Sequence, residues 1–462
     1  MATSRQQNTE LAALLKEAGL THSQAAVAFV HVAAENGARE FAAVGRSHVS
    51  HWVGGSQPSG QAPVYLSEAL SRRLGRTITP EQIGMTSPQG NRDDETGWQT
   101  DTLIALADLR RGEGEDDVRR RQLLGTTAYS VAALVLPAGP WWEQMARTSR
   151  AASGTLHAGA ADAEAVRKLT AMFSELDQLR GGAHARSAAV MYLTHDVNRL
   201  LRASFASDAD RCAMFAAAGE LAYVNGWMAF DSADHAAAQR FFRVGVQLSA
   251  EADDRPLIGH ILRAMAHQAA DLGHPQRALE IANASVDGDR YGLACARERA
   301  LLGVVRARAL GAAGNKRGAA TALVKAEDDL RSAEIGDDEP KRVWFFSEAS
   351  LAHETARTLR TIGDYDGAAL QFQRSVRTRQ AATFTRTHAV TLGYLGEVLA
   401  RTGRIDEATS AWSASLDAVE GVQSGRTRAV VEQMRAAISP LRARSTPLAQ
   451  LDARAARYLA SA

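Results

Sequence analysis

The stretch Gly363-Asp364-Tyr365-Asp366-Gly367-Ala368-Ala369-Leu370-Gln371-Phe372 decides the fold of this chain. Ala368 is preceded twelve residues earlier by Ala356, and the same pairing recurs as Gly226/Ala238, Ala266/Ala278, Ala307/Ala319 and Gly396/Ala408. Seven residues after Ala266, Ala307, Ala356 and Gly396 stands a glycine: Gly273, Gly314, Gly363 and Gly403. Four residues beyond each second alanine comes Phe242, Ala282, Leu323, Phe372 or Trp412. Two helices approach closely only where both carry small side chains, so each small pair marks a helix crossing. Glycine ends the first helix because it enters the left-handed C-cap conformation without steric cost. The larger residue one turn on is expected to fill the gap between neighbouring hairpins. A single hairpin cannot bury its own apolar face, so the copies must stack into a solenoid. They are spaced 40, 41, 49 and 40 residues apart, and the wide gap holds a loop insertion at Gly336-Asp337-Asp338-Glu339-Pro340.

Composition agrees. The 462 residues are 45% hydrophobic, 23% charged and only 6% aromatic, and alanine, the best helix former and a poor strand residue, is abundant throughout. A sandwich, barrel or large parallel sheet is disfavoured. Lys+Arg total 53 against Asp+Glu 52, so no global charge marks a polyanionic partner. Cys212 and Cys295 are the whole cysteine content, which excludes a disulfide scaffold and an all-cysteine zinc site; both read as core residues. The N-terminus has no apolar segment typical of a signal. Arg119-Arg120-Arg121-Gln122-Leu123-Leu124 has a twin-arginine composition but lies deep in the chain. The apolar run from Thr126 to Pro137 is too short to span a membrane and predicts a buried helix. The expected setting is cytoplasmic, without membrane association.

Outward from the repeats, four segments are expected: 1–90, an acidic linker over 91–118 with one short helix at Thr102 to Leu109, a helical region over 119–212 that reads as degenerate repeats, and the repeat array over 213–462. In the third, Val166, Leu169, Phe173, Leu176 and Leu179 form a helix-period stripe expected to face a core. In the first, Leu11, Leu14 and Leu15 line a short helix ended by Gly19. A second helix, capped by Thr21 or Ser23, runs to Asn36-Gly37. The segment Val44-Gly45-Arg46-Ser47-His48-Val49-Ser50-His51-Trp52-Val53 buries Val49, Trp52 and Val53 and leaves Arg46, Ser47, His48, Ser50 and His51 outside. Val64 to Leu74 points Leu66, Leu70 and Leu74 inward and Arg72, Arg73 and Arg76 outward.

This order resembles the helix-turn-helix of repressor-like, xenobiotic-response-element (XRE) type regulators, carried by Leu20-Thr21…Gln24, Val44 to Trp52, and Leu66 to Leu74 with Ile78-Thr79-Pro80. About ten residues between Gln24 and Arg46 exceed the compact motif. The repeats, best at Gly363-Asp364-Tyr365 through Ala368 and Phe372, resemble tetratricopeptide (TPR) repeats with longer pitches. The expected fold is therefore all-α, an N-terminal helix-turn-helix domain followed by a TPR-like α-solenoid. The combination resembles bacterial regulators, either peptide-responsive or of the developmental and antibiotic-production type; the Arg46-to-His51 stretch and Gly181-Gly182-Ala183-His184-Ala185-Arg186 resemble the latter more closely. That resemblance implies a homodimer on double-stranded operator DNA, with the repeats binding a peptide, protein or small-molecule effector.

The recognition helix would enter the major groove. Arg46 is the candidate for a bidentate guanine contact, and Ser47, His48, Ser50 and His51 for bases or phosphates. Arg72, Arg73 and Arg76 suit phosphate contacts, which position without reading sequence. His184 and Arg186 are candidate effector contacts. His48 and His51 lack a third metal ligand, so neither a metal nor a cofactor is expected. No phosphate-binding loop, H-E-x-x-H, C-x-x-C or G-x-S-x-G motif is present, and His195-Asp196 beside Gly181-Gly182 lacks a nucleophile, so an enzyme is not expected. The competing reading is a TPR-like interaction scaffold that does not bind DNA. Trp141-Trp142 reads as core packing.

Overall fold

The computed structural model describes residues 7–36, 38–86, 97–109, 129–150, 155–333, 339–441 and 445–461. The chain is all-α, with a helical-repeat C-terminal region. Its strands, among the described residues, are the two-residue pair His157–Ala158 and Ser204–Phe205.

Five antiparallel hairpins form where the small-residue pairs predict them: Asp208–Asp231 with His235–Glu251, Arg255–Asp271 with Pro275–Ser285, Ala296–Ala312 with Lys316–Arg331, Glu348–Ile362 with Tyr365–Thr378, and Thr385–Arg401 with Ile405–Ala418. Ala238, Ala266, Ala278, Ala307, Ala319, Ala356, Ala368 and Ala408 are completely buried at the crossings. Gly273, Gly314, Gly363 and Gly403 all take φ between 80° and 92°. Asp234, Asn315 and Asp364 then cap the second helices by accepting from Ala237, Gly318 and Gly367 N–H. The bulky residues act within a hairpin as well as between hairpins. A Cβ on Gly226 would fall 2.6 Å from Phe242, and one on Gly396 would meet Trp412. Each ring thus occupies the space left by the missing side chain of its own partner helix.

In the first hairpin the turn position is Ala233, held at φ 63°. A Cβ there strains the left-handed conformation by roughly 1–2 kcal/mol, and glycine gives part of that back as chain entropy. Ala233→Gly is expected to raise stability by about 0.5–1 kcal/mol; an unchanged urea midpoint would deny the strain.

A sixth hairpin, Gly425–Ile438 with Thr446–Ser461, extends the array. At the other end the boundary expected near residue 212 does not separate two cores. Val166, Val190, Leu193 and Val197 share one apolar cluster with the first three hairpins. The long helix Ala160–Arg180 also turns differently from the expected stripe. Ala163, Val166, Thr170, Asp177 and Gln178 face inward, while Leu169, Met172 and Leu179 are exposed. The inward side meets charged residues of the array, so polar residues hold that position.

Residues 91–118 are not simply a linker. Thr102–Leu109 is helical as predicted, but Trp98, Leu103, Leu106 and Leu109 are buried in the main core; residues 91–96 and 110–118 lie outside the described part. The expected buried helix at Thr126 to Pro137 is instead a 3₁₀ turn, Ala132–Leu134, inside a partly buried irregular segment. Pro137 keeps that turn from extending, and the next helix, Gly139–Ala146, begins with Pro140 in its first turn. Residues 126–128 lie outside the described part, as do Arg119 to Leu124 and Gly336 to Asp338 of the insertion. Trp141 is core, its Nε1–H donating to Trp98 O at 2.9 Å, and Trp142 lies beneath the Arg290 guanidinium. Cys212 and Cys295 are half-buried, not core.

The first and last parts of the array are clasped together. The Gly182 N–H donates to Asp231 Oδ2 at 2.9 Å, Gln423 N–H to Arg180 O at 2.7 Å, and Ala183 N–H to Gln423 O. A Cβ on Gly181 would strike Gln423 backbone, and one on Gly182 the Met228 carbonyl. This close approach explains both glycines.

Residues 8–86 form a separate apolar cluster. The helices are α1 (Thr9–Glu17), α2 (His22–Glu35), α3 (Arg46–Val53) and α4 (Ala62–Leu74). Thr21 caps α2 in a reciprocal box with Gln24. The extra residues before α3 lengthen α2 to Glu35 and add a 3₁₀ turn, Arg39–Phe41. Phe29 sits among Phe41, Trp52 and Tyr65, ring centroids 5.2–6.2 Å away; such edge-on pairs add about 0.5–1.5 kcal/mol each beyond burial.

Candidate nucleic-acid interface and repeat groove

Helix α3 is short and two-faced. Val49, Trp52 and Val53 are buried against the core, and Arg46, Ser47, His48, Ser50 and His51 are exposed. Gly45 N–H donates to His48 Nδ1 at 3.2 Å. An acceptor at Nδ1 puts the ring proton on Nε2, leaving a donor for an outside group. The five side chains are thus brought onto one helix as expected, with nothing among the described residues of the repeats covering them.

The three arginines of α4 and its end are not alike. Arg73 is exposed, with Nε donating to Ala18 O, and Arg76 pairs with Glu17 at 2.9 Å, both half-exposed. Arg72 does not point outward. Its Nε meets Glu68 Oε1 at 2.9 Å and a terminal nitrogen meets Glu35 Oε2 at 2.7 Å. Helix α4 is buried on two sides because the repeats pack on the side that carries Glu68 and Arg72. Arg72 is therefore part of the junction and leaves the set of phosphate contacts.

That junction is a chain of ion pairs and hydrogen bonds. Glu68, 3% exposed, lies 2.6 Å from His274 Nε2, at the turn of the second hairpin. Glu35 continues it to His31 at 3.0 Å. Tyr129 stacks on the His274 ring, and its N–H donates to Asn36 Oδ1. Against the pull of burial, His31 and Arg72 bring the Glu35 carboxyl down to about 2. Also against burial, His274 and Arg72 hold Glu68 below the ordinary carboxylate range.

The effector candidates His184 and Arg186 lie apart from the groove. His184 is exposed and Arg186 pairs with Asp234 at 2.8 Å; neither lines the concave side of the repeats. His195 and Asp196 stand exposed on a π-helical turn, Tyr192–Val197.

The concave side instead holds a groove with about 880 Å³ of empty space, its mouth included. Its walls carry Tyr223, Trp227, Phe345 and Phe384, and the guanidinium groups of Arg263, Arg379, Arg386 and Arg426 reach its lining. The 49-residue pitch supplies one edge. Segment Lys341–Phe346 turns inward, Trp344 stacking on Phe384 at 5.1 Å and donating to Ser174 Oγ, and Arg342 pairing with Glu298 and Glu220. Helix Ala160–Arg180 supplies the other edge through Ser174, Asp177 and Gln178.

Arg386, 1% exposed, ties the groove across the array, 2.8 Å from Asp177 and 2.5 Å from Asp231. Burial, reinforced by Asp231, pushes the Asp177 carboxyl up to about 7. Deep burial with Arg263 nearby lowers His260 to about 4, and burial with Arg308 does the same to His267. Sequence reasoning missed these arginines because nothing in the repeat spacing separates a groove-lining arginine from a solvated one.

Among the described residues, no group of three His, Cys, Asp or Glu is arranged to hold a metal ion, and no helix is long and apolar enough to cross a membrane. No curated protein matches the chain. Residues 11–86, which contain α2, α3 and α4 and the junction carboxylates Glu35 and Glu68, match the family model described as the SP15 N-terminal domain.

Proposed function

We propose that this chain is a transcriptional regulator that binds double-stranded DNA through an XRE-type helix-turn-helix in residues 1–90 and uses its TPR-like repeats for self-association and effector binding. The observation that carries the reading is α3: a short helix fixed by Val49, Trp52 and Val53, with Arg46, Ser47, His48, Ser50 and His51 left open beside a junction that lies on α4 and the end of α2. Such a helix fits the major groove, where outward polar side chains meet base edges. Self-association is assigned to the helical array, of which helix Ala160–Arg180, packed on the first hairpin, leaves Leu169, Met172 and Leu179 exposed on one side. Sedimentation of the full chain tests that assignment.

A salt-dependent mobility shift on genomic promoter fragments tests the DNA reading. Arg46→Ala is expected to cost about 1–3 kcal/mol on the specific site, roughly 5- to 150-fold in affinity, and to relax preference at one base pair. Specific binding that survives both Arg46→Ala and His48→Ala would mean that α3 is not the reading helix.

One observation favours a second reading, a TPR-like interaction scaffold without DNA binding: Arg72 and Arg76 are both engaged by carboxylates, which leaves the N-terminal unit few cations for phosphates. Absence of any salt-sensitive shift would select it.

A further inference from the structure

The groove between the repeats and helix Ala160–Arg180 contains more positive charge than its own carboxylates answer. Arg386 is matched by Asp177 and Asp231, and Glu354 is met from beneath by Arg308. Arg263, Arg379 and Arg426 are different. Among the described residues, none of the three has a carboxylate within ion-pair distance.

Arg263, 2% exposed, bonds Tyr223 Oη at 2.8 Å and His260 Nε2 at 3.0 Å, and among the described residues its Nε has no acceptor. Arg379, 8% exposed, donates to Ala349 O and Ser375 Oγ, and its Nε is likewise unanswered. Arg426 lies over Trp227 and Phe230, its guanidinium carbon 5.9 and 5.7 Å from the ring centroids. Arg263 lies 5.7 Å from the same Trp227 ring. Two cations therefore share one indole with no anion between them. A buried cation without a counter-charge is costly to the fold, and burial pulls the Arg379 guanidinium down to about 10. An anionic ligand would supply the missing charge.

We propose that this groove binds a small organic anion: a flat apolar body set among Tyr223, Trp227, Phe345 and Phe384, with its carboxylate or phosphate on Arg263, Arg379 and Arg426. The bonded edges favour a small molecule over an extended peptide. Trp344 on one edge bonds Ser174 on the other, and Arg386 ties Asp177 to Asp231, so the path that a strand would follow is crossed. As the effector site of a DNA-binding regulator, the groove rests on the function proposed above; the binding itself is measured without DNA, so either claim can fail alone.

The test is calorimetry on the full chain with 2-naphthoate and 1-naphthyl phosphate, with 2-naphthamide as the uncharged counterpart. At least one anion is expected to bind tenfold or more tightly than the amide, and whichever binds more tightly identifies the anionic group. Arg379→Met and Arg426→Met are each expected to weaken that binding at least tenfold. Removing the uncompensated charge of Arg379 is expected to leave the melting temperature of the ligand-free protein unchanged or raised, because Ser375 Oγ keeps its own bond to Ala349 O. A purely structural arginine would lower it. Equal affinity for the anions and the amide, no binding of either anion, or anion binding indifferent to both variants would overturn the proposal.

Discussion

Arg386→Leu is expected to destabilise the folded chain by about 3–5 kcal/mol, read as a lowered urea midpoint of the repeat array. The guanidinium is completely enclosed and bonds Asp177 Oδ2, the Asp177 carbonyl and Asp231 Oδ1. These groups belong to three separate parts of the chain: the fifth hairpin, helix Ala160–Arg180 and the first hairpin. Leucine fills much of the volume but leaves two carboxylates facing each other in a low-dielectric interior. Asp177, whose carboxyl burial already pushes up, would then take up a proton on folding, so the loss is expected to be smaller at pH 5 than at pH 8. Adding Asp177→Asn and Asp231→Asn should restore part of the stability, since the cost lies in the unpaired charges and not in the lost contact. A loss below about 1 kcal/mol would mean that other groups satisfy the two aspartates.

Glu68→Ala is expected to cost about 3 kcal/mol at neutral pH and to loosen the N-terminal unit from the repeats. Glu68 is the buried anion between Arg72 and His274, and without it Arg72 loses a counter-charge and His274 its hydrogen-bond partner. Limited proteolysis near residue 87 and a melting transition for residues 8–86 distinct from that of the repeats are the readouts. A single unchanged transition would show that apolar packing alone holds the two parts together. The wild type should show the same loosening in acid. Glu35 and Glu68 have folded values below those of the unfolded chain. Their stabilisation is therefore fully present above about pH 4.5 and is lost as pH falls toward the folded values, about 2 for Glu35.

The parts of this architecture legible beforehand are those set by contacts between near neighbours in the chain. Gly226/Ala238 and its four counterparts mark helix crossings because two backbones can meet only over small side chains, and both members lie on one hairpin. The turn glycines follow from a local dihedral requirement. Helix α3 was legible for the same reason: Val49, Trp52 and Val53 against Arg46, Ser47, His48, Ser50 and His51 is a pattern within eight residues.

What escaped depends on partners far away. Arg72 looks like a surface cation until the second hairpin places His274 beside Glu68. The leucines of helix Ala160–Arg180 look like its inner face, yet its polar Asp177 is the residue turned inward, because Arg386, over two hundred positions later, waits there. The clasp formed by Gly181-Gly182 and Gln423 has no local signal, since a glycine pair before a helix reads equally as an ordinary loop.

By itself, then, the order of residues determined the hairpins, their turns and the two-sidedness of α3, because side-chain size and helical periodicity act over a dozen positions. Only the tertiary structure decided which charges are interior, how the array closes and where its concave side carries unanswered arginines. A charge becomes costly or useful according to the dielectric and the counter-charges around it, and those arrive from distant parts of the chain.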